Sequence, residues 1–219
     1  MTLKLYFAPG ACSFVPHALL ETAGEPFEPM LVKLHKAENQ TPEYKALNPR
    51  GQVPVLVDGS EVITQIVAIV SYLNDRFPQC NFLPRESLAR TRVLSTLAWM
   101  NNTVHPTFTH VFMPHKFAGS AQGQADIKAF NAALYAAMLG EIEGMAAAAE
   151  RESRPYLGGA QFGPLDAYAL TLLRWGGFAG HDPQGYPALW ALVQRVAALP
   201  AVSRVIERER LQLNVYKVG

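Results

Sequence analysis

Apolar and polar positions change rhythm several times along the first third of the chain. Leu3 to Phe7 is a short apolar run ending in the β-forming pair Tyr6 and Phe7. It stops at Pro9-Gly10, which predicts a strand followed by a turn. From Ser13 the spacing becomes helical: Phe14, Ala18, Leu19 and Thr22 share one face, and Gly24 is placed to close the helix in the left-handed conformation. Glu28 to Leu34 alternates as a second strand, and a strand–helix–strand unit of this length implies a right-handed parallel crossover. The turn-rich stretch Asn48-Pro49-Arg50-Gly51-Gln52-Val53-Pro54 leads into Val55-Leu56-Val57 and Glu61-Val62-Ile63, two short runs around Asp58-Gly59-Ser60 that read as a hairpin. Thr64 then stands as the N-cap of a helix whose Ile66, Ile69, Val70 and Leu73 face the sheet.

After Phe77 the strand signals end. The stretch to Arg85 carries two prolines and Asn81, so the expected division is an α/β domain over 1–77, a linker over 78–86 and an all-helical domain over 87–219. Leu88 to Phe112, Gln122 to Glu152, Pro164 to Phe178 and Pro187 to Leu199 are rich in Ala and Leu at helical spacing, punctuated by Pro114, Gly158-Gly159, Gly163-Pro164 and Pro200.

Composition narrows the partners. Hydrophobic residues make up 49% and charged residues 17% of 219, with a formal net charge of +1, so the electrostatic footprint of a nucleic-acid or anionic-membrane binder is missing. No apolar stretch reaches the length of a membrane span and the amino terminus lacks the pattern of a secretory signal, so the cytoplasm is the expected location. Two cysteines, Cys12 and Cys80, are too few for a disulfide framework and lack metal-ligand spacing, which leaves thiol chemistry and no metal.

Cys12 precedes a helix start, where free backbone N–H groups and the helix dipole favour a thiolate; its other reading is a small buried apolar residue. Ser13 reads either as the N-cap of that helix or as a hydroxyl donor to a ligand thiolate. A cis peptide at Val53-Pro54 would leave the Val53 N–H and C=O free to pair with an extended peptide ligand; an ordinary proline at a strand edge is the alternative. Thr64-Gln65 opens a helix whose free N–H groups suit a carboxylate, with the Gln65 amide facing an amino or carboxylate group. His105 and His110, five apart, do not form a metal pair, and His105 lies at a kink expected beside Pro106. Phe108, Phe112, Met113, Trp175 and Phe178 read as core ahead of the alternative, the lining of a ligand pocket.

The succession KLYFAPGACS, NPRGQVPVL, TQIVAIVSYL and LDAYAL resembles bacterial glutathione transferases, closest to the beta class, over essentially the whole chain. The resemblance implies a thioredoxin-like N-terminal domain that holds glutathione, an all-helical C-terminal domain that holds a small hydrophobic electrophile, and a homodimer. It assigns Cys12, Ser13 and His105 to the chemistry, Val53 and Pro54 with Gln52 to the cysteinyl unit of glutathione, Gln65 and Ile66 to its γ-glutamyl end, and Lys36 to the basic position after the second strand. Phe7, Ile66 and Pro106 depart from residues frequent in the family, a Tyr, a Ser or Gly, and a Lys, and Gly163 replaces the usual N-cap before Asp166, itself a first-turn structural residue. The function implied is conjugation of the glutathione thiolate to such electrophiles. The alternatives are a disulfide or dehydroascorbate-type reductase working through Cys12, and a non-catalytic glutathione-binding module.

Overall fold

In the computed structural model, which describes residues 2–217, the first strands follow from period-2 alternation. Strand β1 (Leu3–Phe7) buries Leu3, Leu5 and Phe7 and leaves Lys4 and Tyr6 half-covered on the other face. It runs parallel to β2 (Phe27–Leu31) and antiparallel to β3 (Val55–Asp58), which in turn pairs antiparallel with β4 (Glu61–Thr64), giving the order β2-β1-β3-β4. Strand β2 is shorter than its pattern suggests. The Val32 N–H bonds the Phe7 carbonyl at 2.8 Å beyond the last paired residue, and the chain then tightens into a 3₁₀ turn at Leu34–Lys36.

Helix α1 (Phe14–Ala23) ends at Gly24 with φ 74°, the left-handed cap expected of it. Helix α2 (Pro42–Leu47) was not legible from hydrophobic spacing; it is set by its start, where Thr41 Oγ1 accepts the Tyr44 N–H and Pro42 fills the first turn. Helix α3 (Ile66–Arg76) corrects the expected N-cap. Thr64 is paired with Val55 in the hairpin, and the cap position belongs to Gln65, whose side chain makes no capping bond. Ser13 does not cap α1 either, since its backbone is already helical.

The helical remainder comprises α4 (Ser87–Trp99), α5 (His105–Phe112), α6 (Ala121–Arg151), α7 (Pro164–Phe178), α8 (Pro187–Ala197) and α9 (Pro200–Glu209). The pattern over 88–112 reads as one kinked helix, and the structure resolves the kink as a π-helical turn at Met100–Val104, where the His105 N–H reaches back five residues to the Met100 carbonyl. Pro106, lacking an N–H, then falls in the first turn of α5, where none is needed. Pro200, read from sequence as a terminator, starts α9 for the same reason.

Helix α7 lies in the middle of the core, with Leu165 to Leu173 buried throughout. An apolar cluster continues from Leu5 and Leu19 under the sheet through Leu97 and Met100 to Leu170 and Val193. Polar groups trapped in it are satisfied. The Tyr135 hydroxyl donates to the Leu172 carbonyl at 2.7 Å, and Asp166 accepts the N–H groups of Gly163 and Leu157 at 2.9 and 2.8 Å, a structural role as expected. Among the described residues no single helix is long and apolar enough to cross a membrane.

Candidate active site

The loop between β1 and α1 is tied down at both ends. Ser13 Oγ accepts the Ala8 N–H at 3.1 Å and donates to the Ala8 carbonyl at 3.2 Å, so its hydroxyl is fully engaged and wholly buried. Gly10 sits at φ 68°, which favours glycine, and a Cβ there would also displace the tip of Arg174, whose Nη1 would lie 2.8 Å away. Its N–H donates to Glu209 of α9 at 2.8 Å and its carbonyl accepts the Trp175 indole N–H of α7 at 2.8 Å. The helical half of the chain thereby fixes the segment that carries Cys12.

Cys12 is buried, and its thiol donates to the Val53 carbonyl at 3.6 Å. Burial pushes it up to about 12, against hydrogen bonds from the Cys12 and Ser13 backbone that pull the other way. The thiolate expected from the helix start is therefore not what the free protein holds. A helix terminus supplies on the order of 0.3–1 kcal/mol, less than one pKa unit, whereas loss of water around a buried thiolate shifts it by several.

A second loop meets Cys12 from the far side. The Val53-Pro54 peptide is cis. The preceding carbonyl of Gln52 is clamped by two donors, the Tyr44 hydroxyl and Asn48 Nδ2, both at 2.8 Å, and Asn39 Nδ2 holds the Gly51 carbonyl at 2.7 Å. Among the described residues the Val53 N–H makes no hydrogen bond. Next in space stands the start of α3. Gln65 there adopts φ 71° and ψ 126°, a region disfavoured for a residue with a Cβ, and such outliers concentrate at ligand-binding positions.

His105 comes from the far side of the molecule. Its Nδ1 lies 2.9 Å from the Tyr168 hydroxyl, which donates to Asn101 Oδ1 at 3.2 Å, and its ring packs edge-on to Trp175 at 4.8 Å. Burial lowers its pKa to about 4, so it is a neutral imidazole near pH 7.

These parts face one cavity of about 690 Å³. Gln52, Val53, Pro54, Gln65 and Ile66 line one region of it, Cys12 and His105 also reach it, and Phe108, Phe112, Phe117 and Phe178 form an aromatic wall. Lys116 is the one formally charged side chain among the lining residues. Of the residues singled out from sequence, Ser13 and Lys36 do not line the cavity: Ser13 is sealed under Ala8, and Lys36 is exposed on its 3₁₀ turn. Phe112 and Phe178, read as core, are instead 54% and 46% exposed on the cavity wall, while Phe108 and Trp175 are buried and line it with one edge. Asn101 and Asn102 also reach the cavity and were not anticipated, because the π-helical turn that presents them leaves no mark in hydrophobic spacing. Asn39, Asn48 and Tyr44 shape the second loop unannounced by any motif beyond its turn-forming residues. Among the described residues, no group of three or more His, Cys, Asp or Glu side chains stands together as a metal site would require.

Comparison with known proteins agrees with this architecture. Residues 1–75 match the family described as glutathione S-transferase, N-terminal domain. The chain is 33% identical over 215 residues to glutathione S-transferase GST-4.5 of Xanthomonas campestris pv. campestris, covering 95% of this chain and all of that protein. It superimposes with a TM-score of 0.81, at 32% identity, on a sphingomonad glutathione S-transferase complexed with glutathione, covering 95% of this chain and all of the other. A beta-class glutathione S-transferase of Sphingomonas chungbukensis gives a TM-score of 0.80 at 29% identity, again over 95% of this chain and the whole of that one. A thioredoxin-like sheet domain joined to a helical domain, with a shared cavity where the two meet, and likeness over nearly the full length together show that the chain belongs to the glutathione S-transferase family.

Proposed function

We propose that this transferase binds glutathione along the sheet side of the cavity and conjugates its thiol to small hydrophobic electrophiles held by the aromatic wall. The observation that carries the reading is the sharing of one cavity by two unlike surfaces. One is the unpaired N–H of Val53, whose carbonyl, expected free, instead accepts the Cys12 thiol, beside an open helix start at Ile66; the other is a set of half-exposed phenylalanine rings. An extended tripeptide pairs its cysteinyl backbone with Val53 and sets its γ-glutamyl carboxylate on the N–H groups of α3, with the Gln65 amide alongside. That arrangement brings the thiol to Cys12 and His105, which line the same cavity. Carboxylate recognition rests on backbone N–H groups and amides, since Lys36 is not among the residues lining the cavity. Cys12, protonated at neutral pH with its S–H on the Val53 carbonyl, is not poised as a nucleophile, so a cycle through a Cys12 disulfide gains no support. Residues 1–77 form the glutathione domain in this reading, and the helical residues from 87 onward carry the electrophile site.

We read the protein further as a cytoplasmic homodimer, supported by its two unpaired cysteines and by the exposed apolar pair Phe130 and Leu134, one turn apart on α6. Calorimetric titration with glutathione, followed by an assay with an activated aryl halide, tests the main reading. Absence of binding at millimolar glutathione would sink it, and light scattering of the eluting protein decides the dimer.

A further inference from the structure

Three hydrogen bonds around His105 run in one direction. Asn101 Nδ2 donates to Asn102 Oδ1 at 2.7 Å, so the Asn101 amide turns its oxygen toward Tyr168. The Tyr168 hydroxyl has a single proton and gives it to that oxygen at 3.2 Å. What Tyr168 then offers His105 at 2.9 Å is a lone pair, so the proton between them sits on Nδ1 of the imidazole. We infer that Tyr168 and Asn101 are positioning residues that fix His105 in the Nδ1–H tautomer and leave Nε2 as the proton acceptor for the bound glutathione thiol. The inference rests on the proposed glutathione reading.

The surroundings make this arrangement specific. Tyr168 is fully buried on α7, and the His105 ring is braced by Trp175, which is itself anchored on Gly10. Asn101 lies within the π-helical turn and His105 immediately follows it, and π-helical turns are frequent at functional sites. Of the groups on the first strand and the loop after it, the Ser13 hydroxyl is spent on Ala8 and the Cys12 thiol on Val53, and Phe7 has no hydroxyl; His110, the other imidazole on the cavity, is turned onto the Pro106 carbonyl through Nδ1 and stacked on Phe117.

In the step that follows, the glutathione S–H bond breaks with its electron pair kept on sulfur, and the proton bonds to Nε2. The imidazolium keeps its Nδ1–H on Tyr168. The thiolate pair then forms the C–S bond, the leaving group departs with its bonding pair, and the Nε2 proton passes to it or to water. Burial opposes a lone imidazolium, and the adjacent thiolate offsets that by forming a neutral pair.

Nitrogen-15 NMR of the labelled protein, with His105→Gln to assign the ring signals, reads the tautomer directly. Nδ1 should carry the proton in the wild type, and Tyr168→Phe should move population to Nε2–H. The same variant should lower kcat about tenfold with the KM for glutathione unchanged, as expected when a base is mispositioned while the groups that bind glutathione stay in place. Asn101→Asp, which keeps an acceptor oxygen, should retain the wild-type tautomer; Asn101→Ala should not. A wild-type Nε2–H signal, or a tautomer indifferent to Tyr168→Phe, overturns the inference. Full kcat in His105→Gln would instead overturn the use of His105 as a base, and the tautomer measurement would stand apart from it.

Discussion

His17 Nδ1 lies 2.7 Å from Glu209 Oε1, with both side chains wholly buried and 192 residues apart in sequence. Arg208 Nη1 donates to the other ring nitrogen of His17 at 3.0 Å, so Nδ1 carries the proton and donates to the carboxylate. The second carboxylate oxygen takes the Gly10 N–H, which joins α9 to the Cys12 loop. Glu209→Ala would strand two donors, the His17 Nδ1–H and the Gly10 N–H, and should cost about 2–6 kcal/mol, from about 1–3 kcal/mol for each donor left unsatisfied. Thermal unfolding checks this. Glu209→Gln keeps one acceptor and should lose less, while a melting temperature unchanged in the alanine variant would show that water replaces the carboxylate.

That bond also shows where sequence reading runs out. Local pattern carries β1, the hairpin of β3 and β4, and α7, because each buries one face against a neighbour and the apolar residues show it at period 2 or 3.6. Cys12, Val53, Gln65 and His105 line the cavity, but pattern alone left each open between a structural and a functional reading, and the family resemblance is what pointed to them. Pattern gave no sign that Ser13 turns away to Ala8, since a hydroxyl before a helix looks the same whether it caps or not. Nor did it place Glu209, a glutamate on an amphipathic helix whose burial depends on His17 and Gly10 far back in the chain.

Two buried groups should tilt stability with pH in opposite senses. His105 has its pKa lowered by burial from 6.5 to about 4, so the unfolded chain binds more protons between those values, and stability is lost as pH falls through that window. Asp166, pushed up by burial from 3.8 to about 7 against its backbone hydrogen bonds, works the other way. Its folded form holds the proton longer, so stability is present at low pH and lost as pH rises toward 7. Each is worth a few kcal/mol at most, and over about pH 4.5–6.5 they offset one another. His105→Gln should therefore unmask stability falling with rising pH, and Asp166→Asn stability rising with it. Denaturant melts at three pH values test the pair, and parallel profiles for both variants would refute the opposition.

At Gln65 the demands of folding and binding diverge. Its φ of 71° costs a residue with a Cβ on the order of 1–3 kcal/mol, a strain that glycine removes. Gln65→Gly should raise the melting temperature or leave it level, despite the added freedom of the unfolded chain. The same change removes the amide proposed to meet the γ-glutamyl end, and loss of a hydrogen bond to a charged group, about 1.5–3 kcal/mol, should weaken glutathione about tenfold or more. Calorimetry on the variant separates the two effects; undiminished affinity would remove Gln65 from the binding site.

The aromatic wall offers a sharper test of what the electrophile looks like. Phe108 is stacked between Trp175 and Phe112, with ring centroids at 4.7 and 5.4 Å and planes within 15° and 17° of parallel. Phe112 in turn meets Phe178, whose ring is covered by the Arg174 guanidinium at 5.4 Å. Of these rings Phe112 and Phe178 are half-exposed on the cavity, and a planar aromatic electrophile can extend the stack where a bulky aliphatic one cannot. Such a contact is worth about 0.5–1.5 kcal/mol beyond area burial. Phe112→Ala and Phe178→Ala should therefore lower kcat/KM about three- to tenfold for an activated aryl halide, and less for a haloalkane of similar size. Glutathione affinity should hold, because neither ring lies with Val53 and Gln65, and stability should change by no more than about 1 kcal/mol at such exposed positions. An equal loss for both electrophiles would mean that the wall contributes only apolar area, and stacking would have no part in substrate choice.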